Sequence, residues 1–326
     1  MRTLFIKMLC AALLTGAACF FTQQAYAGSC CGGGGATTLV LPKFSQGMVD
    51  VSFDFEKYNG FWNQDGKYTH DEPGTDLRQY RLNLGYARRL ARNWQASISV
   101  PYVWNENKYS GLTSRTEGVG DTTLSLWYET FDRPKSLLNI LDWRDLAPAV
   151  TLGASLTVPT GISPFDNVKS SFDVTGRGFY RLDGNVLLDK TVYPWITSLL
   201  LSYGTYLERP VNTEYGNSVE PYRKKLGDRT LGTVALGYIS FLESRNILTY
   251  LVSYSYLNEA EGTRNGGPEP TTGFRKDSIA GTISYAAAKT DMTYKFSWSH
   301  AIREDGWGKN FPTTDIYTLG VSHAFR

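Results

Sequence analysis

Charged side chains recur at every second position in several stretches of this 326-residue sequence, and the positions between them are largely apolar. If each stretch is a β-strand, a period of two places the charges on one face and the apolar side chains on the other. Opposite charges on such a face can pair with one another or act on the charge of a passing solute. The pattern predicts a lining for a polar interior, formed by Asp50, Asp54, Glu56, Arg81, Asp121, Glu129, Arg181, Asp183, Lys295 and Arg303.

The histidines offer little basis for catalysis. Only His70, His300 and His323 are present, and an acyl-transfer site needs a nucleophile, a base and an orienting group held together. Ser299 precedes His300 directly, so in a strand the two side chains point to opposite faces. We predict that the protein is not an enzyme and has no cofactor or metal, and keep a membrane lipid hydrolase as a minor alternative.

Two adjacent cysteines, Cys30 and Cys31, lie in a glycine-rich segment. Neighbouring Cα atoms are about 3.8 Å apart, which is closer than a relaxed disulfide prefers. The pair could instead hold a metal, a lipid or the thiol of a protein partner. This leaves open a barrel that serves an assembly such as a porin-cytochrome conduit, although the chain has no Cys-x-x-Cys-His haem site of its own.

Residues 1–27 have the layout of a secretory signal peptide. Arg2 and Lys7 precede an apolar run, and Ala25 and Ala27 form a small-x-small cleavage site. Cleavage would remove two positive charges from a chain of net charge +2, which leaves the mature chain neutral. A neutral chain argues against nucleic acid as a partner. Residues 28–46 are expected to form a periplasmic leader.

The C-terminal stretch, residues 315–326, alternates apolar with small or polar side chains. A strand with one apolar face suits lipid, and its backbone groups must be paired inside a closed barrel. The stretch also resembles the C-terminal signal of bacterial outer-membrane barrels, which implies delivery by the barrel assembly machinery into outer-membrane lipid. The apolar set is Tyr317, Leu319, Val321, His323 and Phe325.

Similar alternation predicts an all-β fold, namely a closed antiparallel transmembrane barrel of about twelve strands over residues 47–326. Short turns and long loops alternate between the later strands, which favours a barrel over a soluble sandwich. The 14% aromatic content and mean hydropathy of −0.28 fit the same architecture. We also predict a short periplasmic helix within residues 133–146. The predicted strands are 48–58, 77–88, 94–104, 119–130, 147–158, 174–189, 194–207, 230–242, 247–257, 277–288, 291–303 and 315–326.

Three segments carry a family resemblance: GVGDTTLSLWY at 118–128, LGASLTVPTG at 152–161 and RGFYRLDGNV at 177–186. Together they resemble the outer-membrane barrel family named for the meta pathway of phenol degradation. The resemblance extends from about residue 47 onward and implies a barrel channel for small, often aromatic or hydrophobic, molecules.

These observations predict a porin-like channel of the bacterial outer membrane that takes up small, aromatic or amphipathic solutes passively. Loops 105–118, 159–172 and 208–229 are expected to shape its outer mouth. Arg81 and Arg181, set against the aspartates of the lining, would create a transverse field. Direct uptake of aromatic solutes would instead use Trp127, Tyr109 and Tyr215.

Overall fold

Twelve antiparallel strands close into one barrel in the computed structural model, which describes residues 39–43, 45–109, 111–130, 136–243 and 245–325. Each barrel strand pairs with its neighbours in the sequence, and the last strand pairs with the first over Gly47–Trp62 and closes the ring. The predicted fold class and strand number are confirmed. The predicted signal peptide, Cys30, Cys31 and Arg326 lie outside the described residues.

The barrel strands are long, and several extend well beyond their predicted bounds. Strand β4 is interrupted at Gly120 and Asp121 and therefore has two segments. The strands are β1 Gly47–Trp62, β2 Asp76–Arg89, β3 Trp94–Tyr109, β4 Leu112–Val119 with Thr122–Glu129, β5 Ala149–Val158, β6 Arg181–Val192, β7 Trp195–Tyr206, β8 Arg229–Phe241, β9 Ile247–Glu259, β10 Phe274–Ala287, β11 Met292–Ala301 and β12 Phe311–Phe325.

The outer wall is apolar, as the alternation predicts. Val252 of β9 and Leu319 of β12 expose 67% and 62% of their surface on this wall. Exposed apolar side chains in a closed barrel indicate a surface that contacts lipid. Aromatic pairs ring the barrel near both ends, as expected at membrane interfaces. They include Trp94 with Tyr128 (ring centroids 5.1 Å apart), Trp195 with Tyr238 (5.4 Å), and Phe55 with Tyr80 (5.3 Å).

The two ends of the barrel differ in their connections. At the end that carries the N-terminus of β1, hereafter the turn end, the connections are short except for residues 130–148. At the opposite loop end, residues 63–75, 159–180, 207–228 and 260–273 form long connections. Tyr203 and Thr205 of β7 donate hydrogen bonds to the Asp228 carboxylate and so tie the loop 207–228 to β7. These bonds lower the pKa of Asp228 below its ordinary value.

Several local predictions were wrong. Residues 105–118 are not a loop, because β3 and β4 continue as a paired hairpin up to Tyr109 and Leu112. The predicted helix at 133–146 falls partly on undescribed residues. Its described part contains only the strand Ser136–Leu137 and the 3-10 helix Trp143–Leu146. Residues 174–180 belong to no strand, since β6 begins at Arg181.

The loop end also carries a small sheet outside the barrel wall. The hairpin of Arg209–Glu214 and Asn217–Lys225 lies within 207–228 and pairs with Gly262–Arg264 of the neighbouring loop, which pairs in turn with Gly267–Glu269. Most of the predicted loop 208–229 is therefore an ordered hairpin, and its last residue, Arg229, begins β8. The short strands Tyr68–Thr69 and Gly308–Lys309 extend β1 and β10.

Residues ahead of β1 fold into the turn end of the barrel. Leu39 and Leu41 pack against the inward-facing Met48 and Ala87, and Leu41 N donates to Gln95 Oε1 at 2.6 Å. This segment therefore covers part of the opening at the turn end. Among the residues that the structure describes, no helix is long and apolar enough to cross a membrane.

Candidate functional site: the barrel lumen

On the turn-end side of Asp121, Arg229 and Glu259 the lumen is lined by hydroxyl groups, and we call this part of the lumen the open half. Ser125 bonds Ser155, Thr233 bonds Ser255 and Thr282 bonds Ser297, each at 2.9 Å between adjacent strands. These side chains are only half-buried although they point into the barrel. Their partial exposure indicates open, polar space inside this half.

Asp50 and Lys295 are the predicted lining charges of this open half. Asp50 is inward on β1, and Lys295 is inward on β11 in register with Gly320. The aliphatic part of the Lys295 side chain lies over Gly320. Its Cε is 3.4 Å, an ordinary van der Waals distance, from the position that a Cβ on residue 320 would occupy. Both residues are half-buried, and Lys295 has no ion pair among the described residues. Both side chains therefore face the open half of the lumen.

Arg81 is the centre of a buried network on β1 and β2. Its guanidinium lies 3.4 Å from Asp54 Oδ2 and 3.2 Å from Glu56 Oε2, and it also donates to Gln79. Asp54 accepts further hydrogen bonds from neighbouring inward side chains, so both of its carboxylate oxygens are engaged. One guanidinium therefore pairs with two of the predicted carboxylates at once. Gln79 Nε2 donates to Asn105 Oδ1 at 2.7 Å and extends the network to β3.

Glu129 marks the turn end of the inner wall. It is buried and forms a 3.2 Å ion pair with Arg89 of β2. Trp127, two positions earlier on the same face, is only 2% exposed and packs over Gly153 of β5, where any Cβ would overlap the indole. Trp127 thus acts as a packed wall residue at this end.

Residues 159–180 leave the loop end and fold into the lumen. Asn105 and Asn107 of β3 donate to the carbonyls of Val174 and Phe172 at 2.9 and 2.8 Å. Asp121, at the interruption of β4, accepts from the backbone N–H groups of Gly161 at 3.2 Å and Arg177 at 2.6 Å. We call residues 159–180 the inward segment. The expectation that 159–172 shapes the outer mouth is replaced by a constriction inside the barrel.

The inward segment crosses the barrel. Three residues beyond its contact with β3, Arg177 forms a bidentate ion pair with Glu259 of β9, with N–O distances of 2.9 and 2.7 Å. Strands β3 and β9 stand on opposite sides of the twelve-strand ring in the order of pairing. Val174 and Phe179 of this segment are almost fully buried. The segment therefore divides the lumen between its two ends.

A second charged group lies where the inward segment meets β6 to β9. Arg181 Nε donates to both carboxylate oxygens of Asp183 at 2.8 and 2.9 Å, and its Nη1 lies 3.4 Å from Tyr206 OH. Tyr206 donates to Glu259 at 3.0 Å. Arg229 is inward on β8, in register with Glu259 and Gly204. The group concentrates guanidinium charge beside the constriction.

Arg303 lies outside this arrangement. It follows the end of β11 and pairs with Asp315, whose side chain shares the outward face of β12 with Tyr317. His300 also bonds Asp315, with Nδ1 and Oδ1 2.8 Å apart, while Ser299 faces the lumen as its position predicts. The described part of the chain therefore brings no serine together with this histidine and aspartate.

Some predicted residues are not brought together. Trp127 faces Gln95 near the start of β3, whereas Tyr109 ends that strand, roughly 48 Å away at 3.4 Å per residue. Tyr215 lies at the turn of the outer hairpin. In the described regions, no group of three or more His, Cys, Asp or Glu side chains is placed to hold a metal ion.

Sequence reasoning missed Arg177, Arg229 and Glu259. Arg229 comes one residue before a predicted strand and Glu259 two residues after another. Continuing the inward parity of those strands would have identified both of them.

Comparison with known proteins addresses the fold. No protein-family model matches this sequence, and no curated protein matches it. An outer membrane channel from Pseudomonas putida F1 superposes with a TM-score of 0.66 at 13% identity, over 89% of this chain and 98% of that one. The beta domain of the Bordetella autotransporter BrkA gives 0.51 at 11% identity, over 86% and 100%. This chain has the fold of outer-membrane β-barrels.

Proposed function

We propose that this protein is a porin-like channel that conducts small solutes passively across the outer membrane of a Gram-negative bacterium. The observation that carries the proposal is the open, hydroxyl-lined half of the lumen inside an apolar outer wall. A barrel with a purely structural interior would fill that space with packed side chains. The turn end would face the periplasm and the long loops the exterior.

The inward segment limits what can pass. Its crossing from β3 to β9 leaves only the space beside residues 172–177. We therefore expect a low conductance and a preference for small solutes. Asp50 and Lys295 would contact the solute directly, whereas Arg81 and Glu129 would hold the wall together because their charges are paired. The family resemblance of three sequence segments favours aromatic or amphipathic molecules among these solutes.

Liposome swelling tests the proposal. The purified, refolded protein is reconstituted into dextran-loaded vesicles, which are diluted into isotonic sugars of increasing size. We expect swelling with the smallest neutral sugars and none with trisaccharides. Vesicles that carry heat-denatured protein serve as the control. A folded barrel that gives no more swelling than this control with every sugar would refute the proposal.

A further inference from the structure

One guanidinium in the lumen lacks a hydrogen-bonded partner. Among the residues that the structure describes, the Arg229 side chain donates no hydrogen bond and forms no ion pair within 4 Å, although it is inward and half-buried. The nearest carboxylates are already engaged. Glu259 accepts from Arg177 and Tyr206, and both oxygens of Asp183 accept from one nitrogen of Arg181.

The carboxylates around the constriction are each held by a stated partner. Asp121 accepts from two backbone N–H groups, and Asp173 accepts from Ser114 and Asn107. The guanidinium of Arg229 has no such partner among the described residues, and an unpaired charge in a partly desolvated interior attracts a counter-ion more strongly than it would in water.

We propose that Arg229 binds the carboxylate of a small organic monoanion as it passes through the lumen. A free guanidinium presents a planar fork that matches the two oxygens of a carboxylate. A single free guanidinium suits a monoanion better than phosphate, which carries up to two negative charges at neutral pH. This inference names the solute class of the proposed channel and rests on that proposed function.

Two readouts test the site. In a planar bilayer, para-fluorobenzoate is added to potassium chloride and the block of the ion current is titrated. In detergent solution, fluorine NMR measures line broadening of the same compound by the folded protein. We expect block and broadening with the natural protein. Arg229→Gln should weaken both about tenfold, as expected for loss of a charge-assisted hydrogen bond.

Two variants sharpen the comparison. Lys57→Gln removes one positive charge from the outer wall near the loop end and should leave both readouts unchanged. Arg229→Lys keeps the charge without the fork and should bind para-fluorobenzoate with intermediate strength. Heat-modifiable migration on gels shows that each variant is folded.

The outcomes separate the two proposals. If the protein conducts ions but para-fluorobenzoate shows neither current block nor line broadening, the carboxylate site is overturned and the channel stands. Broadening that depends on Arg229, without any conductance, would support the site and refute the channel. Stronger block by inorganic phosphate than by para-fluorobenzoate, or equal losses in Arg229→Gln and Lys57→Gln, would also overturn the carboxylate assignment.

Discussion

Replacing Asp121 by alanine should loosen the constriction. The Asp121 carboxylate is the only side chain that holds both Gly161 and Arg177 by their backbone N–H groups in the described inward segment, at 3.2 and 2.6 Å. The substitution removes both bonds and leaves the other attachments, such as Asn105 to Val174, in place. The inward segment should therefore remain folded on average and leave the lumen more often.

The size of the effect follows from these two bonds. A hydrogen bond to a charged group contributes about 1.5–3 kcal/mol. Water can reach the freed N–H groups of Gly161 and Arg177, so we take the lower value for each, about 3 kcal/mol together. Because each 1.4 kcal/mol is a factor of ten, the displaced state of the inward segment should become about 100-fold more populated.

Single-channel recording measures this population as time spent at a larger conductance level. Asp121→Ala should show such openings far more often than the natural protein. Asp76→Ala is the matched control, because it removes a carboxylate at the loop end that pairs with Arg78 and does not bond the inward segment. If folded Asp121→Ala gave the same traces as the natural protein, the inward segment would not be the constriction.

Three further substitutions test the walls of the barrel through its unfolding free energy in lipid vesicles. Val252→Arg on the outer wall should cost about 2–4 kcal/mol, while Ser253→Arg at the next, inward position should cost much less; equal costs would contradict the assigned faces. Arg81→Ala should cost about 3–5 kcal/mol because it leaves two buried carboxylates unpaired, and an unchanged stability would contradict the buried network. Gly153→Ala should destabilise the barrel by about 1–3 kcal/mol, since its Cβ overlaps an indole, whereas Gly184→Ala meets open space and should cost less than that.

The barrel could be predicted because lipid and lumen impose opposite demands on alternate residues. Each strand inside the membrane must show an apolar face, so the parity of β1 is visible in the sequence from Val49 to Phe55. The same reasoning fails where the strands leave the membrane. The hairpin top at 105–108 is polar on both faces and was interpreted as a loop. Its inward side chains, Asn105 and Asn107, bond the inward segment, and its outward side chains, Glu106 and Lys108, are exposed.

The constriction could not be predicted because its alternation has a different cause. Val174 has the apolar parity of the predicted strand 174–189, but both Val174 and Phe179 belong to the inward segment and are buried inside the barrel. Local periodicity does not distinguish these two environments. The ion pair of Arg177 with Glu259 joins residues 82 positions apart, and nothing in either segment alone predicts that contact.

The most direct test of the proposed channel is the ion conductance of the purified protein in a planar lipid bilayer. We predict small, discrete current steps for the natural protein and larger ones when the inward segment is released by Asp121→Ala. A protein that is shown to be folded, yet gives no current steps in either form, would contradict the account of this barrel as a channel narrowed by residues 159–180.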